Sequence, residues 1–315
     1  MSVESEELNG KRVLVTGARG FIGAYLCDAL VAAGAEVHAV SRTVKEDKSN
    51  KAQWWQGDLA EFNTAEQIFE EVCPEYIYHM AGIAAGSRDL SMVLPTLGSN
   101  LVSTANMLVL AKKHGCERFI LPGSMEEPGE QEAEKIPGSP YAASKWGATV
   151  YAKMFHALYE VPVVILRVFM VYGPSRQDLN KLIPYVILSL LRKNAPALGS
   201  GQRTIDWIYI DDVVQALLKS AVAPGVVGKT LDIGSGKAIS VRELVDLLVD
   251  IVDPAIPVDF GSLHDRPFEQ EKVANISEAA RSMDWRPRTD LQEGLRKTVS
   301  WYRECVAAGD IELSF

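Results

Sequence analysis

From residue 11 onward, short runs of consecutive apolar positions alternate with longer segments whose apolar residues recur at helical spacing. An unbroken apolar run bounded by turn residues reads as a strand buried on both faces, and its alternation with helical segments reads as βαβ units around a parallel sheet. The runs predict strands near 11–16, 36–41, 53–57, 75–79, 117–122 and 161–168, with helices at about 21–34, 63–72, 89–114 and 140–160. Right-handed crossovers place those helices on both faces of the sheet, so the expected fold is α/β, a Rossmann-type doubly wound parallel sheet. After Tyr172 the texture changes. Gly173-Pro174 ends a strand, Gly199, Gly201, Pro224, Gly225 and Gly228 punctuate short elements, and helical spacing returns near 240–253 and 290–305. The expected organisation is a larger domain over 1–172 and a smaller C-terminal α/β lobe over 173–315, with the chain free to cross between them.

The first predicted strand runs directly into Gly17-Ala18-Arg19-Gly20-Phe21-Ile22-Gly23 and then into an apolar helix. Glycines in that position permit a tight turn, close approach of a pyrophosphate and close helix–strand contact, while the helix start offers free N–H groups. The spacing G-x-x-G-x-x-G between strand and helix points to dinucleotide binding by Gly17, Arg19, Gly20, Phe21, Ile22 and Gly23. A carboxylate at the end of the second strand would accept from the ribose hydroxyls of NAD. This strand ends instead in Ser41-Arg42, whose guanidinium and hydroxyl suit a 2′-phosphate, so NADP(H) is expected, with NAD(H) as the alternative if Arg42 is a solvated loop residue. Asp58, before Leu59 at the end of the third strand, reads either as an acceptor for the adenine amino group or as a turn residue. Small residues in Met80-Ala81-Gly82, after His79, would let the backbone approach the same cofactor.

Composition narrows the partners. The 315 residues are 47% hydrophobic, enough for a full core, and the net charge of −9 opposes broad attraction to nucleic acid or an anionic membrane. Cys27, Cys73, Cys116 and Cys305 are widely spaced, with no paired metal-type spacing, so no metal is expected and a reducing cytoplasm fits. The acidic start lacks the pattern of a signal peptide, and the apolar run 161–172 is too short to span a bilayer.

Tyr141 and Lys145 lie four apart on one helical face, where an ammonium beside a phenol is expected to lower a phenol pKa that is otherwise near ~10. Ser124 follows the fifth strand at the carboxyl edge, where ligands of open parallel sheets bind, and its hydroxyl is placed to hold a reacting oxygen.

These motifs together resemble the extended short-chain dehydrogenase/reductase family, in its nucleotide-sugar epimerase, dehydratase and reductase branch. The resemblance runs through Thr16-Gly17 to Gly23, Asp58-Leu59, His79 to Gly82, Asn100, Ser124, Tyr141 to Lys145 and Arg167 to Pro174. It continues into 206–213, 232–236 and 284–287, the stretches similar to that family's sugar-binding lobe. It implies Tyr141 as acid/base, Lys145 on the nicotinamide ribose, Ser124 polarising the substrate oxygen, and a nucleotide-diphosphate sugar in the second lobe. Gly123-Ser124-Met125-Glu126-Glu127 is similar to the Gly-Ser-Ser-Glu-Glu of GDP-4-keto-6-deoxymannose reductases, which implies a 4-keto-sugar reductase. Met170, Lys181 and Ile205 stand where relatives carry Asn, Asn and Arg; Lys181, Arg203 and Arg266 are the cations offered for the substrate, with a solvated surface role as the alternative for the first two.

A 4-epimerase uses the same residues and leaves the cofactor unchanged overall. Glu126 serves a 4,6-dehydratase as base, unless it faces outward. A non-catalytic dinucleotide sensor is a third class, against which the retention of Ser124, Tyr141 and Lys145 argues. The 89–114 segment is apolar around much of its circumference, and the resemblance implies a homodimer through a four-helix bundle formed with the 140–160 helix.

Overall fold

The structure is a computed structural model that describes residues 3–43, 51–128, 136–175, 177–265 and 271–311. A short helix α1 (Val3–Leu8) precedes β1 (Arg12–Thr16), α2 (Phe21–Ala32), β2 (Glu36–Ser41), β3 (Gln53–Gln56), α3 (Phe62–Val72) and β4 (Tyr76–His79). The next helical segment, Leu90–His114, contains α4 (Val93–Thr96) and α5 (Ser103–His114); β5 (Arg118–Ser124), α6 (Pro140–Tyr159) and β6 (Val163–Val168) follow. The remaining elements are β7 (Met170–Tyr172), α7 (Leu182–Leu191), β8 (Thr204–Tyr209), α8 (Ile210–Val222), β9 (Thr230–Ile233), β10 (Ala238–Ser240), α9 (Val241–Val252), α10 (Ser277–Met283) and α11 (Leu291–Ala308).

Seven parallel strands form one sheet in the order β3-β2-β1-β4-β5-β6-β9, the doubly wound arrangement with a seventh strand added. Val13, Leu14 and Val15 of β1 are fully buried, as a central strand covered by helices on both faces requires. One apolar cluster joins Val13, Val15, Leu26 and Leu30 to the α8 residues Val213 and Leu217, and the other joins Leu14, Ile77 and Phe119 to Phe69, Met107 and Phe155. Chain beyond residue 173 returns to this sheet: β9 pairs with β6, and α8 packs against α2, β5 and β6. A three-stranded sheet, β10-β8-β7, carries the smaller lobe with α7, α9 and α11.

The helix expected over 89–114 is present but not uniform. It opens with a single 3₁₀ turn at Leu90–Met92 and widens into a π segment at Leu97–Val102. Asn100 explains the widening: its side chain is turned inward, where Oδ1 accepts from the Ile83 N–H at 2.7 Å and Nδ2 donates to Ser144 Oγ at 2.8 Å. Such a bulge re-aims one side chain while the helix continues, and it tends to occur at functional sites. Leu90–His114 is long and apolar enough to cross a bilayer by length and composition, yet Met107, Leu108, Leu110 and Ala111 are buried in the core under the sheet.

Candidate active site

The carboxyl ends of β1, β2 and β4 meet at the glycine-rich turn. Gly17 has φ +62°, and a Cβ there would lie 2.7 Å from Ala81 N and Met80 O, so only glycine lets the turn lie against the segment after β4. A Cβ at Gly23 would run into the Gly17 carbonyl. The helix α2 starts at Gly20 with no side-chain cap, which leaves its first N–H groups facing the cradle. The residues present therefore fit a dinucleotide pyrophosphate. At the ribose end, Arg19 Nη1 donates to the Thr43 carbonyl at 3.0 Å, bringing a second guanidinium beside Ser41 and the exposed Arg42. Asp58 is exposed, and its Oδ1 accepts from Ala60 N at 3.0 Å in a local turn, while the Leu59 side chain is buried in the core and its carbonyl is taken by Asn106.

His79 holds this end of the sheet together. Ser103 Oγ gives its hydrogen to Ser99 O and so accepts from His79 Nε2, which leaves Nδ1 to accept from Thr16 Oγ1 at 3.0 Å, while Thr16 Oγ1 accepts from Ala81 N at 2.9 Å. The Nε2–Ser103 Oγ distance is 3.3 Å. Burial pushes the imidazole pKa down to about 3, with the Lys145 charge acting in the same direction, so His79 is neutral and positions the 80–82 backbone.

Ser124 closes β5 at the same edge, and Tyr141 enters from the start of α6. Ser139 caps that helix by accepting from Ala142 N at 3.1 Å, and Pro140 occupies its first position, where a missing N–H costs nothing. Tyr141 is thus fixed within the first turn. Its phenol faces Ser124, whose Oγ accepts from Glu126 N at 3.2 Å. The expected acidified phenol is not what the structure shows. Burial raises the Tyr141 pKa to about 12, Ser124 pulls against that rise, and the charges of Glu127 and Glu126 add to it. Lys145 does not offset this because its Nζ donates to the Pro122 carbonyl at 2.5 Å rather than to the phenol. Burial in turn lowers the Lys145 pKa, opposed by the charge of Glu127.

Facing these groups from the smaller lobe, Arg203 Nη2 pairs with Glu126 Oε1 at 3.1 Å, with both side chains about one-fifth exposed. Two residues assigned separate tasks from sequence are therefore one ion pair. Lys181, the residue before α7, reaches across to donate to the Ala84 carbonyl at 2.8 Å. Ile205 is buried in the core, so that position of β8 offers no cation, and Met170 packs with Met125, Phe169 and Ala274 beside the reactive loop. Arg266 lies outside the described residues.

Residues 13–234 match the model of the NAD dependent epimerase/dehydratase family. The chain belongs to that family. The chain is 31% identical to a dTDP-D-glucose 4,6-dehydratase of Mus musculus over 93% of this chain and 89% of the relative. It is 27% identical to a UDP-glucuronate 4-epimerase of Thermodesulfobacterium geofontis over 92% and 96%. Among solved structures, the UDP-glucose 4-epimerase of Thermotoga maritima with UDP-glucose superposes with TM-score 0.85 at 26% identity, covering 93% of this chain and 99% of that one. The protein is accordingly an enzyme of this family, with a nicotinamide dinucleotide as cofactor. The residue that the sequence reading passed over is Glu127, the buried second member of a tandem pair of glutamates; the pair itself was the only signal.

Proposed function

We propose that the protein is an NADP(H)-dependent oxidoreductase that reduces the 4-keto group of a nucleotide-diphosphate 6-deoxy sugar, with Tyr141 as proton donor. The observation that carries this reading is the juxtaposition of Ser124, at the end of β5, with Tyr141, in the first turn of α6, at the carboxyl edge of the sheet beside a turn built for a dinucleotide. When bound, the nicotinamide supplies hydride to the carbonyl carbon. Tyr141 is held as a neutral phenol, the state in which it can give a proton to the oxygen that gains negative charge. Ser124 accepts from Glu126 N and keeps its own hydrogen for donation to the sugar oxygen. Lys145, one turn along the same helix, holds the Pro122 carbonyl two residues before Ser124 and is the cation offered to the nicotinamide ribose.

Ser41, Arg42 and the neighbouring Arg19 support the preference for a 2′-phosphate, since no carboxylate ends β2. Arg203 and Lys181, with Arg266, remain the cations offered to the substrate diphosphate. The exposed apolar residues Leu90, Leu94 and Val109 on the long helix and Val150, Tyr151 and Leu158 on α6 support a homodimer through those two helices.

The same geometry supports a 4-epimerase reading, favoured by the epimerases among the similar proteins. A 4,6-dehydratase reading is favoured by the dehydratases among the similar proteins, with Glu126, which pairs with Arg203 at 3.1 Å, as its base. Incubating the enzyme with NADPH and a panel of nucleotide-diphosphate 4-keto-6-deoxy sugars tests the proposal. Loss of reduced cofactor with at least one member is the expected result. Interconversion of sugar epimers with no net cofactor change shifts the assignment to the second reading, and no reaction with any member refutes the first.

A further inference from the structure

The tandem glutamates after β5 diverge. Glu126 turns to the second lobe and Arg203, whereas Glu127 turns inward and is 1% exposed. Glu127 Oε1 accepts from the Ser124 N–H at 2.6 Å, and the Glu127 backbone carbonyl accepts from Lys272 Nζ at 2.6 Å. The carboxylate lies against the Gly123 backbone so closely that a Cβ on Gly123 would sit 3.0 Å from Oε1. Meanwhile, Lys145 grips the carbonyl of Pro122, one peptide away. An ammonium and a carboxylate thus hold the same three-residue stretch, Pro122 to Ser124, that ends in the reactive hydroxyl. The second oxygen, Oε2, is buried with no hydrogen-bond partner among the described residues, as is the hydroxyl of Thr149, one turn beyond Lys145 on α6. Thr149 and the Ser124 N–H both favour the ionised carboxylate, yet burial outweighs them, so its charge calls for a facing cation as well.

We propose that Glu127 is a positioning residue for the reactive group: its buried carboxylate holds Ser124 N while Lys145 holds the Pro122 carbonyl of the same stretch, and the two face each other as charge and counter-charge. This inference rests on the placement of Lys145 in the proposed active site. The charged groups around Glu127 single out Lys145 as its partner. From β6, Arg167 is bridged to Asp232 of β9 at 3.1 Å and is therefore already compensated. From α6 come Lys145, Tyr141 and Thr149; from β5 comes only the Ser124 backbone; and Glu126 is engaged by Arg203. Lys145 has no ion-pair partner within 4.0 Å among the described residues and is faced from β4 by the neutral His79. Burial strips water from the ammonium and favours the free amine, and the charge of Glu127 opposes that. Reciprocally, burial raises the Glu127 pKa, and Lys145 is the largest influence opposing the rise.

The test is Glu127→Gln, which keeps the shape and the acceptor for Ser124 N but removes the charge. The full chain is labelled with ¹³Cε-lysine, and the Lys145 resonance is identified by its loss in Lys145→Met. The midpoint for Lys145 is expected to fall by about one pH unit or more in Glu127→Gln, with Glu127→Asp recovering part of the shift. An unchanged midpoint would overturn the proposal, since a purely structural cap on Ser124 N predicts no change. Should Glu127→Gln not fold, the native protein carries the test: with ¹³Cδ-glutamate added, the Lys145 signal must move as Glu127 titrates, and a Lys145 signal blind to that titration contradicts the proposal. The readout needs no substrate, so a negative reductase assay and a negative result here are separate failures.

Discussion

Replacing Asp206 by Asn should destabilise the lobe that faces the reactive loop. Asp206 is fully buried on β8, where Oδ1 accepts from Ser235 N and Ser235 Oγ, each at 2.7 Å, and Oδ2 accepts from Gly236 N and Ala274 N, each at 3.0 Å. The carboxylate thereby ties three separate segments together, and Ala274 belongs to one apolar cluster with Phe169 and with Met125, the neighbour of Ser124. An amide cannot satisfy this set. If its NH₂ replaces Oδ2, it faces two N–H donors; if it replaces Oδ1, the Ser235 hydroxyl can reverse but the Ser235 N–H meets another donor. The better arrangement loses one charge-assisted bond, leaves one backbone donor unpaired and weakens the bonds that remain. With about 1.5–3 kcal/mol for a hydrogen bond to a charged group and about 1–3 kcal/mol for a stranded buried donor, the loss comes to about 3–5 kcal/mol. Equilibrium urea unfolding of the native protein and Asp206→Asn measures it directly, as a lower midpoint. Catalytic activity should fall alongside, because the cluster of Met125, Phe169 and Ala274 supports the Ser124 loop. A loss below about 1 kcal/mol would refute the reasoning, since it would mean that these four bonds contribute no more than a single neutral one.

Four further outcomes are expected. Ser124→Ala should slow hydride transfer by about 100-fold or more while cofactor binding persists, as single-turnover kinetics can show. Arg42→Ala should weaken NADP(H) by about tenfold or more with little change for NAD(H), read by fluorescence titration; equal effects on both would remove the 2′-phosphate argument. His79, with its folded pKa near 3 and an ordinary value of 6.5, contributes stability that is present above pH 6.5 and is lost as pH falls toward 3. That loss is about 1.4 kcal/mol per pH unit, so urea unfolding between about pH 6.5 and about pH 4 should show a shallower acid dependence in His79→Asn than in the native protein. Sedimentation should give a mass of two chains, and Leu94→Glu, on the exposed apolar face, should give one; a native mass of one chain excludes the dimer.

Strands β1, β2, β4, β5 and β6 were legible because each is largely a run of buried residues, β3 at the sheet edge because Trp54-Trp55 stands between turn-rich segments, and the glycine turn because its backbone demands leave no other residue type at Gly17. The smaller lobe was not. Residues of α7 are buried almost all round, from Ile183 to Leu190, so the helical period that marks an amphipathic helix is missing. Strands β7 and β10 have three residues each, too few to show alternation, and β9 joins the large sheet through a pairing with β6 that no local pattern encodes. At the site, Ser124, Tyr141 and Lys145 were recognisable from type and spacing, but the direction of the Tyr141 shift was not, because it depends on burial and on Lys145 turning to the Pro122 carbonyl. Which of the two tandem glutamates turns inward depends on the turn after β5 and on Arg203, which lies 77 residues away.

The most direct test of the account is transfer of deuteride from [4,4-²H₂]NADPH to a nucleotide-diphosphate 4-keto-6-deoxy sugar, followed by mass spectrometry of the product. Native enzyme should place one deuterium on C4 of the sugar for each cofactor oxidised, and Tyr141→Phe should bind NADPH as before but transfer at least about 100-fold more slowly. Transfer at the native rate by Tyr141→Phe, or a native enzyme that oxidises no cofactor and leaves the sugar unlabelled, would contradict it.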